Sequence, residues 1–411
     1  MSRVMLGSLL TFCALMTSYT SAVFPVTVPA VTKEFGFGKE VGALGTTLYV
    51  LGFSAGPVMW APTSELYGRR WLLVLGFFGF SIFAIATATA KDAQTLMLCR
   101  FFSGLCAASP VTLVPASLSD LFNNVHRGIA IAMYTLAMFT GPYTAPFIAG
   151  YIANSYLGWR FVFYIPAFVG FFNTLMLIVF ARETYAPVVL VHKAAIIRRQ
   201  TMNWGIHARQ EKIEVEFKDL ITKNLARPFR ILFTEPIAFL ITVYMSFIYG
   251  LAYALLEAYP VVFQGVYGFK GGNSGLPFIG LIVGQGFACA FVLSFQRPYI
   301  RKLAANNNVP VPEWRLPPCI VGGIAFSGGL FWYDLLPFSF AHFEIIPVND
   351  IDDLRFGWTG FTSSIHWIVP TIAGGMVGFG IITIFMQGFN YLLDTYLQLY
   401  FSLFSPQHIH Y

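Results

Sequence analysis

Apolar runs long enough to cross a bilayer alternate along this chain with short polar breaks. A hydrocarbon core of roughly 30 Å needs about 20 apolar residues per helix. Runs at 4–30, 41–61, 71–90, 94–118, 129–153, 160–181, 232–258, 275–296, 316–332 and 364–389 therefore predict ten membrane helices. The longest polar break, Arg182 to Arg230, divides the chain into a six-helix bundle at 1–181, a central loop at 182–230 and a four-helix group at 231–411. The first run follows Arg3 and contains small residues, as a signal peptide would. It continues to about Ala30 without a clear cleavage site, and a second span follows at once, so it reads as a retained helix. In the central loop, Ile213, Phe217, Leu220 and Ile221 recur at helical spacing among acids and lysines. That stretch is either an amphipathic helix lying along the membrane face or a solvated linker.

Composition strengthens the membrane reading. Only 11% of the 411 residues are charged and 56% are hydrophobic, whereas a soluble domain carries about 25% charged residues. The net charge of +6 does not point to nucleic acid, because the basic residues cluster between spans. Counted on alternate sides, eighteen lysines and arginines fall on one side and six on the other: Lys33, Lys39, Lys91, Arg160, Lys270 and Arg355. That asymmetry places the N-terminus and the central loop in the cytoplasm, and without the long loop the ratio is still eight to six. The five cysteines, Cys13, Cys99, Cys106, Cys289 and Cys319, lie in or beside apolar runs and read as packing residues. No hydrolase, protease or nucleotide-binding signature is present, so no catalytic residue, cofactor or metal is expected. The terminal His408 and His410 read as an incidental tail feature.

The chemistry concentrates at a few positions. G-P-V-M-W-A-P-T-S-E-L-Y-G-R-R, Gly56 to Arg70, places Glu65, Gly68, Arg69 and Arg70 between two spans, with Pro62 and Gly68 expected to stop the preceding helix. Arg100 falls early in the fourth span, where a charge costs about 2.5–3.5 kcal/mol on insertion scales. It is either compensated by partners or snorkels to the interface. The fifth span carries G-P-Y-T-A-P-F-I-A-G, in which Pro142 and Pro146 should bend the helix while Gly141 and Gly150 admit a close neighbour. Glu257 ends the seventh span, either as a proton-exchanging carboxylate or as an interfacial cap in water. Asn173, Gln285, Gln387 and Asn390 either line a cavity or bond between helices.

Taken together these motifs resemble the major facilitator superfamily, and within it the fungal drug/proton antiporters. The Gly56 to Arg70 run is similar to the superfamily's loop signature, with Glu65 where many members have aspartate. R-F-F-S-G at Arg100 resembles its fourth-helix motif, and the Gly141 to Gly150 run its antiporter motif; L-G-W-R-F-V-F-Y-I, P-E-W-R-L, H-W-I-V-P-T-I-A-G and N-Y-L-L-D-T-Y add agreement along nearly the whole chain. The resemblance implies an all-α membrane protein with two helix bundles. It also implies a monomer in the plasma membrane, exporting drugs, toxins or polyamines in exchange for protons. Substrate would sit between bundles that rock in alternation, with Arg100 and Glu257 in proton coupling and Glu65 to Arg70 as a latch.

Two departures qualify that expectation. Such antiporters have twelve spans, and the ten here read as a C-terminally truncated second bundle, which should expose its helix faces and impair export. A non-transporting pseudo-transporter or membrane sensor is the alternative. Tyr333 to Arg355 also interrupts a join that Phe331-Trp332 and Phe356-Gly357-Trp358 would otherwise make directly. It reads either as a translated intron or as an ordinary outer loop.

Overall fold

In a computed structural model, residues 3–122, 124–208, 211, 230, 232–269, 271–306, 311–333 and 366–404 are described, and every regular element among them is helical. Backbone N–H and C=O groups in hydrocarbon must be satisfied within the segment, which is why apolar runs of this length become helices. The order is α1 (Arg3–Ser21), α2 (Phe24–Phe35), α3 (Lys39–Tyr67), α4 (Arg69–Thr89), α5 (Ala93–Leu121), α6 (Asn124–Ala153), α7 (Gly158–Phe180), α8 (Ala186–Thr201), α9 (Pro236–Pro260), α10 (Phe278–Ala305), α11 (Leu316–Tyr333) and α12 (Ile368–Phe404). Among the described residues, eight helical stretches are long and apolar enough to cross a membrane. α6 and α11 occupy the remaining two predicted spans. The protein is a multi-pass membrane protein.

The chain forms two compact units. Unit 1 comprises Met1–Ala145 and Ala149–Pro236; unit 2 comprises Pro146–Ile148 and Ile237–Tyr411. In unit 1, α5 packs along α3 and α4, and α4 also packs along α7. Small residues bring these backbones together: a Cβ on Gly104 would strike the Tyr49 backbone, and one on Gly52 the carbonyl of Phe101. In unit 2, α12 packs along both α10 and α11. Added Cβ atoms on Gly284 and Gly378 would strike the facing backbones of Gly375 and Leu281.

Two expectations change. The first predicted span is two helices, because Ser21 would need the N–H of Pro25 to continue the ladder and proline has none. Pro62 does not stop α3, which runs through Pro57 and Pro62 to Tyr67. Beside the Val58 carbonyl that Pro62 leaves without its donor, Thr63 Oγ1 donates to Met59 O at 2.8 Å and Ser64 Oγ to Ala61 O at 2.7 Å. The hinge is thus the single residue Gly68, at φ 86° and ψ 171°. The central segment, for whose first residues the sequence suggested no element, opens with helix α8. Ile213 to Ile221, most of the 333–355 insertion and His408 to His410 lie outside the described residues.

Candidate functional site

Arg100 is buried, with 1% of its surface exposed. The snorkelling alternative is therefore set aside, and compensation comes from several helices. The break between α1 and α2 leaves the last carbonyls of α1 without intrahelical donors. One of them, Thr20 O, accepts from Arg100 Nη1 at 3.2 Å. Gly45 O on α3 accepts from Arg100 Nε at 3.1 Å. Three rings surround the guanidinium, with centroids at 4.5 Å (Tyr49), 5.0 Å (Phe24) and 5.5 Å (Phe163). Ring quadrupoles attract a desolvated cation. Glycine makes the cage compact, since a side chain at position 45 would overlap the Phe24 ring.

The joint between α3 and α4 is held by two acids from elsewhere in unit 1. Glu183, three residues beyond α7, accepts from Arg69 N at 3.0 Å and Arg70 N at 3.1 Å, capping α4. The same carboxylate accepts from Thr184 N and Tyr185 N, both at 2.9 Å. Asp120, at the end of α5, pairs with Arg69 Nη1 at 2.6 Å. Arg70 Nη2 donates to Ile178 O at 2.8 Å. Gly68 is required twice over, by its positive φ and because a Cβ there would collide with the Glu183 carboxylate. Glu65 is exposed on the last turn of α3.

The other predicted positions are dispersed. Gly141 seats α6 on α1, where an added Cβ would come within 2.8 Å of both Leu15 O and Tyr19 N. Pro142 and Pro146 are buried inside a helix that continues to Ala153, and Gly150 O accepts from Asn154 Nδ2 at 2.7 Å. Asn173 is buried in unit 1; Gln285, Gln387 and Asn390 are buried in unit 2. Glu257 is exposed near the end of α9, just before a π-helical turn at Val261–Val266, and among the described residues it makes no hydrogen bond or ion pair. Such turns frequently accompany functional sites. Unit 2 also holds an apolar cavity of about 710 Å³ between α10, α11 and α12, walled by Val283, Phe287, Ala325, Met376 and Phe379.

Besides Arg69–Asp120, two further ion pairs bear on the helix packing and escaped the sequence reading. In unit 2, Arg315 Nε donates to Asp394 Oδ2 at 3.0 Å, Tyr299 OH donates to the same oxygen at 2.8 Å, and Arg315 lies 3.5 Å from the Tyr299 ring centroid. In unit 1, Arg160 binds Glu34 through both oxygens at 2.7 and 2.9 Å, and Trp159 Nε1 adds a bond of 2.8 Å. The Arg160 and Trp159 bonds hold the Glu34 carboxyl below the usual carboxylate range.

Residues 10–398 match the model of the Major Facilitator Superfamily. The chain belongs to the major facilitator superfamily. Relatives within the superfamily include uncharacterized transporter C36.03c of Schizosaccharomyces pombe, 44% identical over 96% of this chain and 69% of the relative. Multidrug transporter TPO1_2 of Candida glabrata is 41% identical over 96% of this chain and 64% of its own length. Multidrug transporter FLU1 of Candida albicans is 38% identical over 93% of this chain and 60% of its own. The chain thus spans about 60 to 70% of these relatives. A partially occluded, inward-open structure of the xylose transporter XylE from E. coli aligns with a TM-score of 0.60 over 97% of this chain and 88% of that one, at 16% identity. At that identity the likeness concerns the superfamily fold alone. The superfamily consists of transporters rather than enzymes.

Proposed function

We propose that this chain is a proton-coupled exporter of small organic molecules such as drugs, toxins or polyamines, working as a monomer in the plasma membrane with a cytoplasmic N-terminus. The observation that carries the reading is Arg100. A buried guanidinium held by carbonyls from α1 and α3 and by rings from α2, α3 and α7 has partners on helices other than its own. A shift of those helices exchanges the partners, so the charge can be coupled to a protonation elsewhere. Glu257, an unpartnered carboxylate in a span among the described residues, is the companion group. Glu65 and Gly68 to Arg70 form the latch, and Gly141, Pro142, Pro146 and Gly150 set the fifth span. The multidrug transporters among the relatives support the substrate class.

Host cells with and without the protein should differ in accumulation of a fluorescent lipophilic cation, with the lowering abolished by a protonophore. Arg100→Ala at equal membrane abundance should remove the difference. Arg100→Lys should restore little, because an ammonium cannot bridge two carbonyls while stacking on three rings. Undiminished export by Arg100→Ala would sink the proposal.

A further inference from the structure

The segment from α8 to Trp204 carries a surface that the transport reading leaves unused. α8 has 16 residues, about 24 Å at 1.5 Å per residue, and contains His192, Lys193, Arg198 and Arg199. It is too short and too charged to cross a bilayer. Nevertheless Leu190, Ile196, Ile197, Met202 and Trp204 are 42 to 72% exposed. Five large apolar side chains in so short a stretch are a patch, unlike singly scattered surface residues. Positions 190, 193 and 197 share one helical face, so Lys193 lies between Leu190 and Ile197. Arg198 is already tied to Glu211 by two bonds of 2.9 Å. Exposed Lys193 and Arg199 have no acidic partner among the described residues.

The start of the segment is held at the membrane boundary. Membrane helix α7 ends at Phe180, and Glu183 is bonded to the first N–H groups of α4, itself a membrane helix. Tyr185, the residue before α8, lies against the Arg69 guanidinium at 5.3 Å. A helix beginning there, with exposed Leu190 and Ile197 on either side of Lys193 and with Arg199 flanking exposed Ile196, matches a lipid surface whose acyl boundary takes the apolar side chains and whose anionic headgroups take the cations. Lysine suits the middle of that face because its stem lies along apolar surface while its ammonium reaches the headgroups.

We propose that α8 and the following Met202 to Trp204 form an interfacial anchor that binds the anionic leaflet of the membrane. The test uses the purified full chain in nanodiscs of phosphatidylcholine with brominated acyl chains, with or without 30% (about one lipid in three) phosphatidylserine, a content chosen to set the surface potential. The Trp204 signal is the difference between wild type and Trp204→Phe, an exposed position that the fold tolerates. The bromines should quench Trp204 and aqueous iodide should not, more so with phosphatidylserine present. Lys193→Gln with Arg199→Gln should lower the ratio of inserted to free segment by about fivefold for each lost charge.

Iodide quenching without bromine quenching would overturn the proposal. So would shielding from both quenchers, which would mean that protein covers the patch. Equal bromine quenching in the two lipid mixtures would overturn the anionic recognition. Nanodiscs present both leaflets and need no transport, so this result stands or falls independently of export and of orientation.

Discussion

Glu183→Ala should loosen the α3–α4 joint more than any change to the arginines it serves. In the native protein the Glu183 carboxylate accepts four backbone N–H groups, two of them on neighbouring residues 184 and 185 and two at the start of α4. Only the latter pair ties α4 to the segment after α7. Hydrogen bonds to a charged acceptor contribute about 1.5–3 kcal/mol each, and the site is half-buried, so the lower half of the range applies and the loss of the two should be about 3–4.5 kcal/mol. In a unit of this size that corresponds to a fall of about 6–18 °C in the melting temperature of the detergent-solubilised protein. Glu183→Gln keeps a single carbonyl oxygen and one of the two bonds, so its fall should be about half as large. Glu183→Asp keeps the charge near the α4 N-terminus but shortens the reach, retaining only the dipole attraction of about 0.3–1 kcal/mol. The ordering Ala, Asp, Gln, wild type in rising stability is the signature. A Glu183→Ala protein melting within about 1 °C of wild type would refute the reasoning, since that shift is far below what two lost caps require.

Gly141→Leu should destabilise the protein by about 1–3 kcal/mol through overpacking against α1, and Gly141→Ala by less, both read as melting shifts; equal stability would deny the close approach of α6 to α1. Breaking the buried Arg315–Asp394 pair by Asp394→Ala should cost about 3–5 kcal/mol, whereas a combined Arg315→Met, Asp394→Leu protein should recover most of it. Because Glu34's folded pKa is depressed by Arg160, its ionised form contributes stability above the unfolded carboxylate pKa, and that contribution is lost as pH falls through the folded value. Glu34→Gln should therefore melt below wild type at neutral pH and together with it in strong acid; a difference that grew on acidification would contradict the assigned direction.

How much of this was legible in the sequence depends on what carried the signal. The spans were, because hydrocarbon allows only one local solution for a long apolar run. Arg100 was recognisable as needing compensation, but its partners were not, since main-chain carbonyls at Thr20 and Gly45 have no residue-type signature. The break that frees Thr20 O was readable in principle from Pro25. Pro62 misled because the rule that proline ends a helix weighs less inside a membrane span, where α3 continues through both Pro57 and Pro62. Glu183 and Asp120 lie more than 50 residues from Gly68 in sequence, and only the folded unit brings them to it. α8 was hidden by its charge density, although Pro187 in its first turn was a start signal.

The two units solve the same local problem with different electrostatics. In each, an arginine at the start of a membrane helix meets an aspartate on the helix that packs along it: Arg69 on α4 with Asp120 on α5, and Arg315, just before α11, with Asp394 on α12. The first pair sits at 13% and 29% side-chain exposure and shares its joint with Glu183, so salt and water can reach it. The second is at 10% and 8%, with the Tyr299 hydroxyl on the same carboxylate oxygen and its ring against the guanidinium. A partly exposed pair contributes little alone and opens at little cost, whereas removing one partner of a buried pair leaves an uncompensated charge. Of the two pairs, Arg69–Asp120 is therefore the cheaper to break and the one that suits the proposed latch, while the Arg315 cluster holds the start of α11 on α12.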